Sequence, residues 1–348
     1  MGLIGITIGD VAGIGAEIIV RAWSDIVDEF GNCAVVFGHP EILRRAIKLL
    51  KLDLEVVTVD KICNIFSDIT NAVFYKKQIP CISCSDDSVL QVLPASIDKR
   101  AGEAAFRAIN FAIEAALSGE IDAVVTAPIH KGSLNLAGYN YPGHTEIFAQ
   151  RCGVNDYAMM LYLPAGKGIY STDGLAVVHV TLHTAMRNIF EQITIDSVFS
   201  KIKLADEFMT RLTNRRPVIG VCSLNPHAGE GGLFGDEEKT KISPAIELSR
   251  RNGINVCDVS PADTIMIDAR NGKYDAVVAM FHDQGHIALK LLDMHRAVNV
   301  TLGLPIIRTS VAHGTAFDKA WQGQAETGSM LESFRTAKKL VENKYKKN

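Results

Sequence analysis

The sequence predicts an α/β protein whose parallel or mixed sheets are covered by helices and divided between two domains. Short runs rich in Val, Ile and Ala recur along the chain, apolar throughout, as strands covered on both faces require. Between them lie stretches with apolar residues at helical spacing, and strands alternating with helices build parallel sheets joined by crossovers. Length is the third observation: 348 residues exceed one ordinary core and fit two domains.

Leu3–Ile8 reads as a strand, followed by a Gly-rich turn and an amphipathic helix over Gly15–Trp23. Cys33–Phe37 is the next strand, then a helix near Glu41–Leu50 and a strand at Leu54–Val59. Lys61–Pro94 is mixed and turn-rich. Ala101–Leu117 carries Ala, Phe and Ile on one helical face, and Asp122–Thr126 is a buried strand. Lys131–Gly143, with three glycines and a proline, reads as a loop or an arm between domains. Strand-like runs at 176–183, 218–222 and 275–282 follow, with helices over Asp196–Leu212 and Glu237–Arg251, a strand at Val298–Leu302, and a C-terminal helix over Gly328–Tyr345. Ile121–Val125 and Tyr274–Val278 echo one another as two buried strands of similar solution.

A net charge of -3 and the absence of a long basic run exclude a nucleic-acid surface, while local cations can still hold a small anion. No apolar stretch approaches the roughly 18 residues of a membrane span. Asp10 interrupts the first apolar segment early, so a cytoplasmic protein is expected. Seven scattered cysteines do not form a secreted disulfide framework. Cys81-Ile82-Ser83-Cys84 has redox or zinc spacing, yet it lacks a second pair and a thioredoxin-like context.

Three strand-like runs lead into histidines, at His179 and His183, at His227, and at His282. Ligands collect outside the carboxyl ends of open α/β sheets, so three imidazoles delivered to one edge are a candidate metal site. Any one of them taken alone is more often a satisfied loop or core residue. Gly9-Asp10-Val11-Ala12-Gly13-Ile14-Gly15 joins the first strand to the first helix but lacks the third glycine of a dinucleotide fingerprint. Pro142-Gly143-His144-Thr145-Glu146 opens a helical run, where backbone amides suit an anion, although Thr145 could be an ordinary cap. Asn225-Pro226-His227-Ala228-Gly229-Glu230-Gly231-Gly232 lets backbone approach a ligand closely. From His282 to Asp318, the charged and polar residues Asp283, Lys290, Asn299, Arg308 and His313 stand among apolar neighbours. Lys, Asn and Arg together suit a phosphate group.

These motifs, with Thr126-Ala127-Pro128-Ile129-His130-Lys131, Pro261-Ala262-Asp263-Thr264, His282-Asp283-Gln284-Gly285 and Asn299–Ser310, resemble the 4-hydroxythreonine-4-phosphate dehydrogenase family in order along the whole chain. The resemblance implies a fold like isocitrate and isopropylmalate dehydrogenases, with two α/β domains around a cleft. The implied domains are 1–140 with 300–348, and 141–299 carrying the metal histidines and a dimer interface. It further implies a homodimer with shared active sites, His183 and His227 coming from one subunit and His282 from its partner. His183, His227 and His282 would hold one divalent ion: zinc suits imidazole best, with manganese, cobalt or magnesium as substitutes. His144, Thr145, Lys290, Asn299 and Arg308 would contact substrate. Gly303, Leu304, His313, Gly314, Thr315 and Asp318 would hold NAD, and Lys131, Asp263 and Asp283 are candidates for moving protons. The chain departs from the family at Val11 and Ala16 (usually Pro), His130 (usually Asn), Ala312 (usually Asp) and Lys319-Ala320-Trp321 (usually Ile-Ala-Gly).

Two branches of that family oxidise different four-carbon phosphorylated acids. Asp156–Tyr162, Gly232–Glu238 and Gly285–Leu292 look more like the branch that converts 4-phospho-D-threonate or 4-phospho-D-erythronate to dihydroxyacetone phosphate and CO2. The other branch oxidises 4-phosphohydroxy-L-threonine in pyridoxal phosphate synthesis. A phosphate acyltransferase and an inactive phosphate-binding protein are the more distant alternatives, and neither needs three metal histidines.

Overall fold

Buried aliphatic runs become sheet centres in both halves of the chain. The computed structural model describes residues 2–62, 77–166 and 168–346, so part of the turn-rich stretch expected over 61–94 lies outside the described residues. Contacts divide the chain into two units. The first reaches Asn155 and resumes at Leu304–Tyr345; the second spans Asp156–Gly303.

In the first unit, β1 (Ile4–Thr7), β2 (Ala34–Gly38), β3 (Glu55–Thr58), β4 (Gln78–Ser83), β5 (Ala123–Thr126) and β12 (Ile307–Val311) form a parallel sheet in the order β3-β4-β2-β1-β5-β12. Around it run α1 (Gly15–Phe30), α2 (Pro40–Leu50), α3 (Lys99–Leu117), α4 (Lys131–Leu136), α5 (His144–Arg151) and α11 (Gly328–Lys346). Helix α1 continues past the expected end at Trp23 because Ile26 and Val27 keep the apolar stripe buried; it stops at Gly31, whose φ is 72°. Asp98 caps α3 by accepting from the Arg100 amide at 2.7 Å. Cys81 and Cys84 are buried, which pushes both thiols up, Cys84 to about 12. The two-residue spacing there is packing, with no reactive thiolate at neutral pH.

Lys131–Gly143, expected as a loop or arm, contains α4. His130 caps that helix by accepting from the Ser133 amide at 3.3 Å. Gly102 on α3 has no β-carbon to obstruct it, for one there would stand 2.0 Å from the Ser133 carbonyl oxygen. Helix α5 also belongs to this unit, which moves the boundary from the expected 140/141 to 155/156. The Arg151 guanidinium lies 5.2 Å from the Phe106 ring of α3, and Phe148 on the same helix is fully buried.

In the second unit, β6 (Ala158–Leu163), β7 (Leu175–His179), β8 (Ile219–Cys222), β9 (Val256–Ser260), β10 (Ala276–Ala279) and β11 (Val298–Leu302) lie in the order β11-β6-β7-β10-β8-β9. The β11–β6 and β6–β7 pairs are antiparallel; β7–β10–β8–β9 is parallel. The helices are α6 (Ile189–Gln192), α7 (Ile195–Thr213), α8 (Ser243–Arg251), α9 (Ala262–Arg270) and α10 (His282–Asp293). A reciprocal capping box of Thr194 and Ser197 starts α7. The helix expected over Glu237–Arg251 opens instead as a π-helical turn at Glu238–Ile242, and only then becomes α8. That wider turn carries the buried Glu238 carboxylate onto the Leu224 and Asn225 amides, at 2.8 and 2.7 Å.

Among the described residues, no helix is long and apolar enough to cross a membrane.

Candidate active site

In the second unit the three histidine-bearing strands are neighbours, in the order β7-β10-β8. Being parallel, they send His183, His282 and His227 out from the same edge of the sheet. The His183 and His282 rings approach to 6.2 Å between centroids and line one cavity of about 420 Å³ with Leu182, Thr184, Ala185, Met186, Ile189, Phe281 and Asp283.

The start of α10 explains its own sequence residue by residue. His282 Nδ1 lies 2.6 Å from Asp283 Oδ1. A carboxylate can only accept, so Nδ1 carries the hydrogen and Nε2 is the nitrogen left to bind a ligand, the orienting arrangement common around metal-binding imidazoles. Gln284 accepts from the Met280 amide and donates to the Ser223 carbonyl, both at 2.8 Å, which stitches the helix start to the end of β8. Gly285 permits close approach to β7: a β-carbon there would stand 2.5 Å from both His179 Nε2 and Val177 Cγ1.

Beneath His282 lie two histidines that the sequence reading did not place in the site. His286 stacks on His282 with centroids 3.8 Å apart and planes at 10°, and its Nδ1 lies 3.1 Å from His179 Nε2. Both are buried, which pushes each down to about 3 and keeps both neutral at physiological pH. A signal for His286 was present, since it stands four residues after His282 and residues so spaced share a helix face.

His227 stands on an exposed turn, with its ring 6.3 Å from Phe234. Five successive residues of that turn have left-handed φ: His227 (51°), Ala228 (55°), Gly229 (78°), Glu230 (44°) and Gly231 (66°). Glu238 anchors the strained segment through the two amides already described and the Asn225 side chain, 3.0 Å away. Among the described residues, no group of three or more His, Cys, Asp or Glu side chains is arranged to hold a metal ion. The donor chemistry at His183 and His282 nonetheless fits a divalent cation: two imidazoles face one cavity, and one of them is oriented by a carboxylate. Asp263, in the first turn of α9, is exposed.

The phosphate candidates divide between the units. In the first, Arg308 on β12 is 1% exposed, its Nη2 donates to Thr126 Oγ1 at 2.7 Å, and its guanidinium lies 5.4 Å from the Phe148 ring. Burial pulls it down to about 9, against the opposing pull of Glu146, so it stays charged at neutral pH. His144 opens α5, and burial followed by the Arg308 charge holds it well below the ordinary imidazole value. It is therefore neutral, and its Nε2 is buried without a hydrogen-bond partner among the described residues. Thr145 beside it is buried. A buried cation and an imidazole nitrogen without a hydrogen-bond partner among the described residues together suit an anion that can also donate a hydrogen bond or accept one. In the second unit, Asn299 on β11 has a buried Oδ1 without such a partner among the described residues, and Lys290 on α10 is exposed.

The nucleotide candidates follow β12. The Thr315 carbonyl accepts from the Ile14 amide at 3.1 Å, and a β-carbon on Gly13 would stand 2.8 Å from the Thr315 side chain. Nothing lies within 4 Å of where a Gly314 β-carbon would be, and Asp318 is exposed. Open backbone beside a free-standing carboxylate fits ribose hydroxyls. His313 Nδ1 bonds the Gly314 carbonyl at 3.0 Å. His130 stacks on Phe317 at 4.8 Å, and Lys131 next to it is exposed. Gly303 has a packing reason of its own: its φ is 85°, and a β-carbon would stand 2.4 Å from the Asp156 carbonyl oxygen. Leu304 is buried. Two departures from the family pattern meet here, for the Trp321 indole donates to the Val11 carbonyl at 2.9 Å.

Comparison with known proteins gives the same picture across the whole chain. The family model described as pyridoxal phosphate biosynthetic protein PdxA matches residues 31–337. A D-threonate 4-phosphate dehydrogenase of Pectobacterium atrosepticum is 42% identical over 340 residues, covering 97% of this chain and 99% of the relative. A 4-hydroxythreonine-4-phosphate dehydrogenase of Trichlorobacter lovleyi is 40% identical over 341 residues, covering 97% of each. The crystal structure of a 4-hydroxythreonine-4-phosphate dehydrogenase from Klebsiella pneumoniae superposes with a TM-score of 0.84 at 39% identity, covering 98% of this chain and 100% of that one.

Proposed function

The chain belongs to the PdxA family of pyridoxal phosphate biosynthetic proteins, and from that premise we propose an oxidoreductase that acts on the CH–OH group of a phosphorylated four-carbon hydroxy acid. The substrate we favour is 4-phospho-D-threonate or 4-phospho-D-erythronate, with NAD as oxidant and a divalent metal, zinc first, as Lewis acid. The hydrogen on C3 would pass as hydride to NAD, while the C3 hydroxyl would give its proton to the protein. The resulting 3-keto acid loses its C1 carboxyl as CO2, and C2 takes up a proton to give dihydroxyacetone phosphate.

Arg308 carries the phosphate part of this reading. A guanidinium buried to 1% exposure, next to an imidazole whose Nε2 is buried without a hydrogen-bond partner among the described residues, suits a phosphate group. His144, neutral and one residue from Thr145, adds a directional hydrogen bond that a lone cation lacks. Lys290 and Asn299 are assigned to the same substrate. His183, His227 and His282 are assigned to the metal, with Asp283 fixing which nitrogen His282 presents. When bound, the metal would draw charge from the reacting oxygen and the nicotinamide would accept hydride. Lys131, Asp263 and Asp283 remain the candidates for moving the hydroxyl and C2 protons. Gly303, Leu304, His313, Gly314, Thr315 and Asp318 are assigned to NAD.

A homodimer with shared sites is part of the proposal. Ile287, Leu291 and Met294 project from α10 at 57%, 82% and 46% exposure, and their spacing puts them on one face. We assign His183 and His227 to one subunit's contribution to each site and His282 to its partner's, as the family resemblance implies.

Relatives carrying the other substrate name keep a second reading in play, oxidation of 4-phosphohydroxy-L-threonine. The two acids differ at C2, hydroxyl against ammonium. Following NADH formation with both, alongside their unphosphorylated forms, tests the reading. The expected order is 4-phospho-D-threonate or 4-phospho-D-erythronate first, 4-phosphohydroxy-L-threonine well behind, and unphosphorylated acids inactive. Equal rates with and without phosphate would overturn it.

A further inference from the structure

Two buried histidines without an assigned role lie directly under the candidate metal ligand His282. We propose that His286, held in place by His179, is a positioning residue that fixes the plane and tautomer of the His282 imidazole. The inference rests on the reading of His282 as a metal ligand.

Three observations converge. First, His286 and His282 are stacked nearly parallel, at 3.8 Å and 10°. Flat contact at that distance holds the upper ring in the plane in which its Nδ1 meets Asp283. Second, the lower ring is itself anchored: His286 Nδ1 bonds His179 Nε2 at 3.1 Å, and His179 is the last residue of β7, 3% exposed. The orientation of His282 is thereby referred to the sheet and not to a mobile loop. Third, the anchor needs Gly285, because any β-carbon there would displace His179 Nε2 or Val177. Helix α10 is thus seated on β7 by a missing side chain and locked by the residue immediately after it.

An alternative view makes His179 and His286 merely core polar residues that satisfy one another. The two views differ in what happens to His282 when the lower ring is removed. A purely mutual pair predicts no change above it. A positioning pair predicts a looser ligand, and loss of such an outer partner typically weakens metal binding 10- to 100-fold.

The test uses the full-length protein and cobalt(II), read by calorimetric titration and by its visible absorption. Wild type should bind cobalt, and His183→Ala should lose that binding, which supports the metal reading by itself. His286→Leu removes the flat ring and should weaken cobalt binding about 10- to 100-fold, with the melting curve showing a folded protein. His286→Phe restores a flat ring and should return affinity to within about threefold of wild type. Nitrogen-15 shifts of the His282 ring in metal-free protein give a readout independent of any metal. Wild type should show one tautomer with hydrogen on Nδ1, and His286→Leu a mixture. Unchanged affinity together with an unchanged single tautomer in folded His286→Leu would overturn the inference while leaving the metal reading intact. If wild type binds no cobalt, the metal reading falls and the tautomer measurement still decides whether His286 positions His282.

Discussion

Arg308 in the first unit is 1% exposed, whereas the His282 side chain in the second is 37% exposed. Arg308 is a permanent charge kept from water, beside a histidine held neutral. His282 is left open at a cavity, over two histidines that burial keeps uncharged. The first arrangement suits an anion; the second suits a cation held by neutral, oriented donors.

The sharpest way to break the comparison is to remove the metal. Chelator-stripped protein should lose NAD reduction by about a thousandfold or more and regain it with zinc or manganese. Full activity in metal-free protein would mean that the imidazoles serve another purpose. Next in size is Arg308→Ala, which should raise KM for phosphorylated substrate by about a hundredfold or more while cobalt binding stays unchanged. An equal loss with unphosphorylated substrate would detach Arg308 from the phosphate.

A mixing experiment sharpens the comparison inside the second unit. If His282 serves the partner's site, subunit exchange between inactive His183→Ala and His282→Ala proteins should restore roughly a quarter of wild-type activity, since about half the dimers are mixed and each has one intact site. Exchange between His183→Ala and His227→Ala should restore nothing, because every site then carries one lesion. Recovery by the second mixture would instead put His227 in the partner's site.

The smallest expected effect concerns pH. His179 is pushed down to about 3 from an ordinary 6.5. The unfolded chain therefore takes up a proton that the folded chain refuses, and the stability due to neutral His179 is complete above about pH 6.5 and lost as pH falls toward 3. At pH 5 the gap is about 1.5 units, or about 2 kcal/mol. Denaturant melts of wild type and His179→Gln should converge as pH drops from 7 to 5. A constant difference would show that His179 does not titrate on unfolding.

The strands most legible in the sequence were those that only fill the core, such as β1 and β10. β12, with Arg308, Thr309 and Ser310 in five residues, was not read as a strand because three polar residues interrupt the apolar pattern. The site followed the same rule. His183, His227 and His282 were singled out from their places after strands, whereas His179, four residues before His183, was seen only as part of an apolar run. Glu238 was unreadable for another reason: a π turn shifts its face, and helical periodicity cannot signal a turn of different width. The domain boundary was misplaced by α5, whose packing on α3 depends on contacts far apart in sequence.

The turn at His227–Gly231 winds against the handedness that L-residues favour. Each left-handed non-glycine residue costs roughly 1–2 kcal/mol, and three of the five are His227, Ala228 and Glu230. Glycine would sit there without strain, although it surrenders part of the gain as extra freedom in the unfolded chain. Ala228→Gly is therefore expected to raise the melting temperature slightly, the reverse of its effect in an ordinary helix. It should also let the amides of Leu224 and Asn225, now held by Glu238, exchange faster with solvent. The chain thus carries at this turn a small reserve of chirality-imposed tension, which trades stability for a fixed direction of one imidazole.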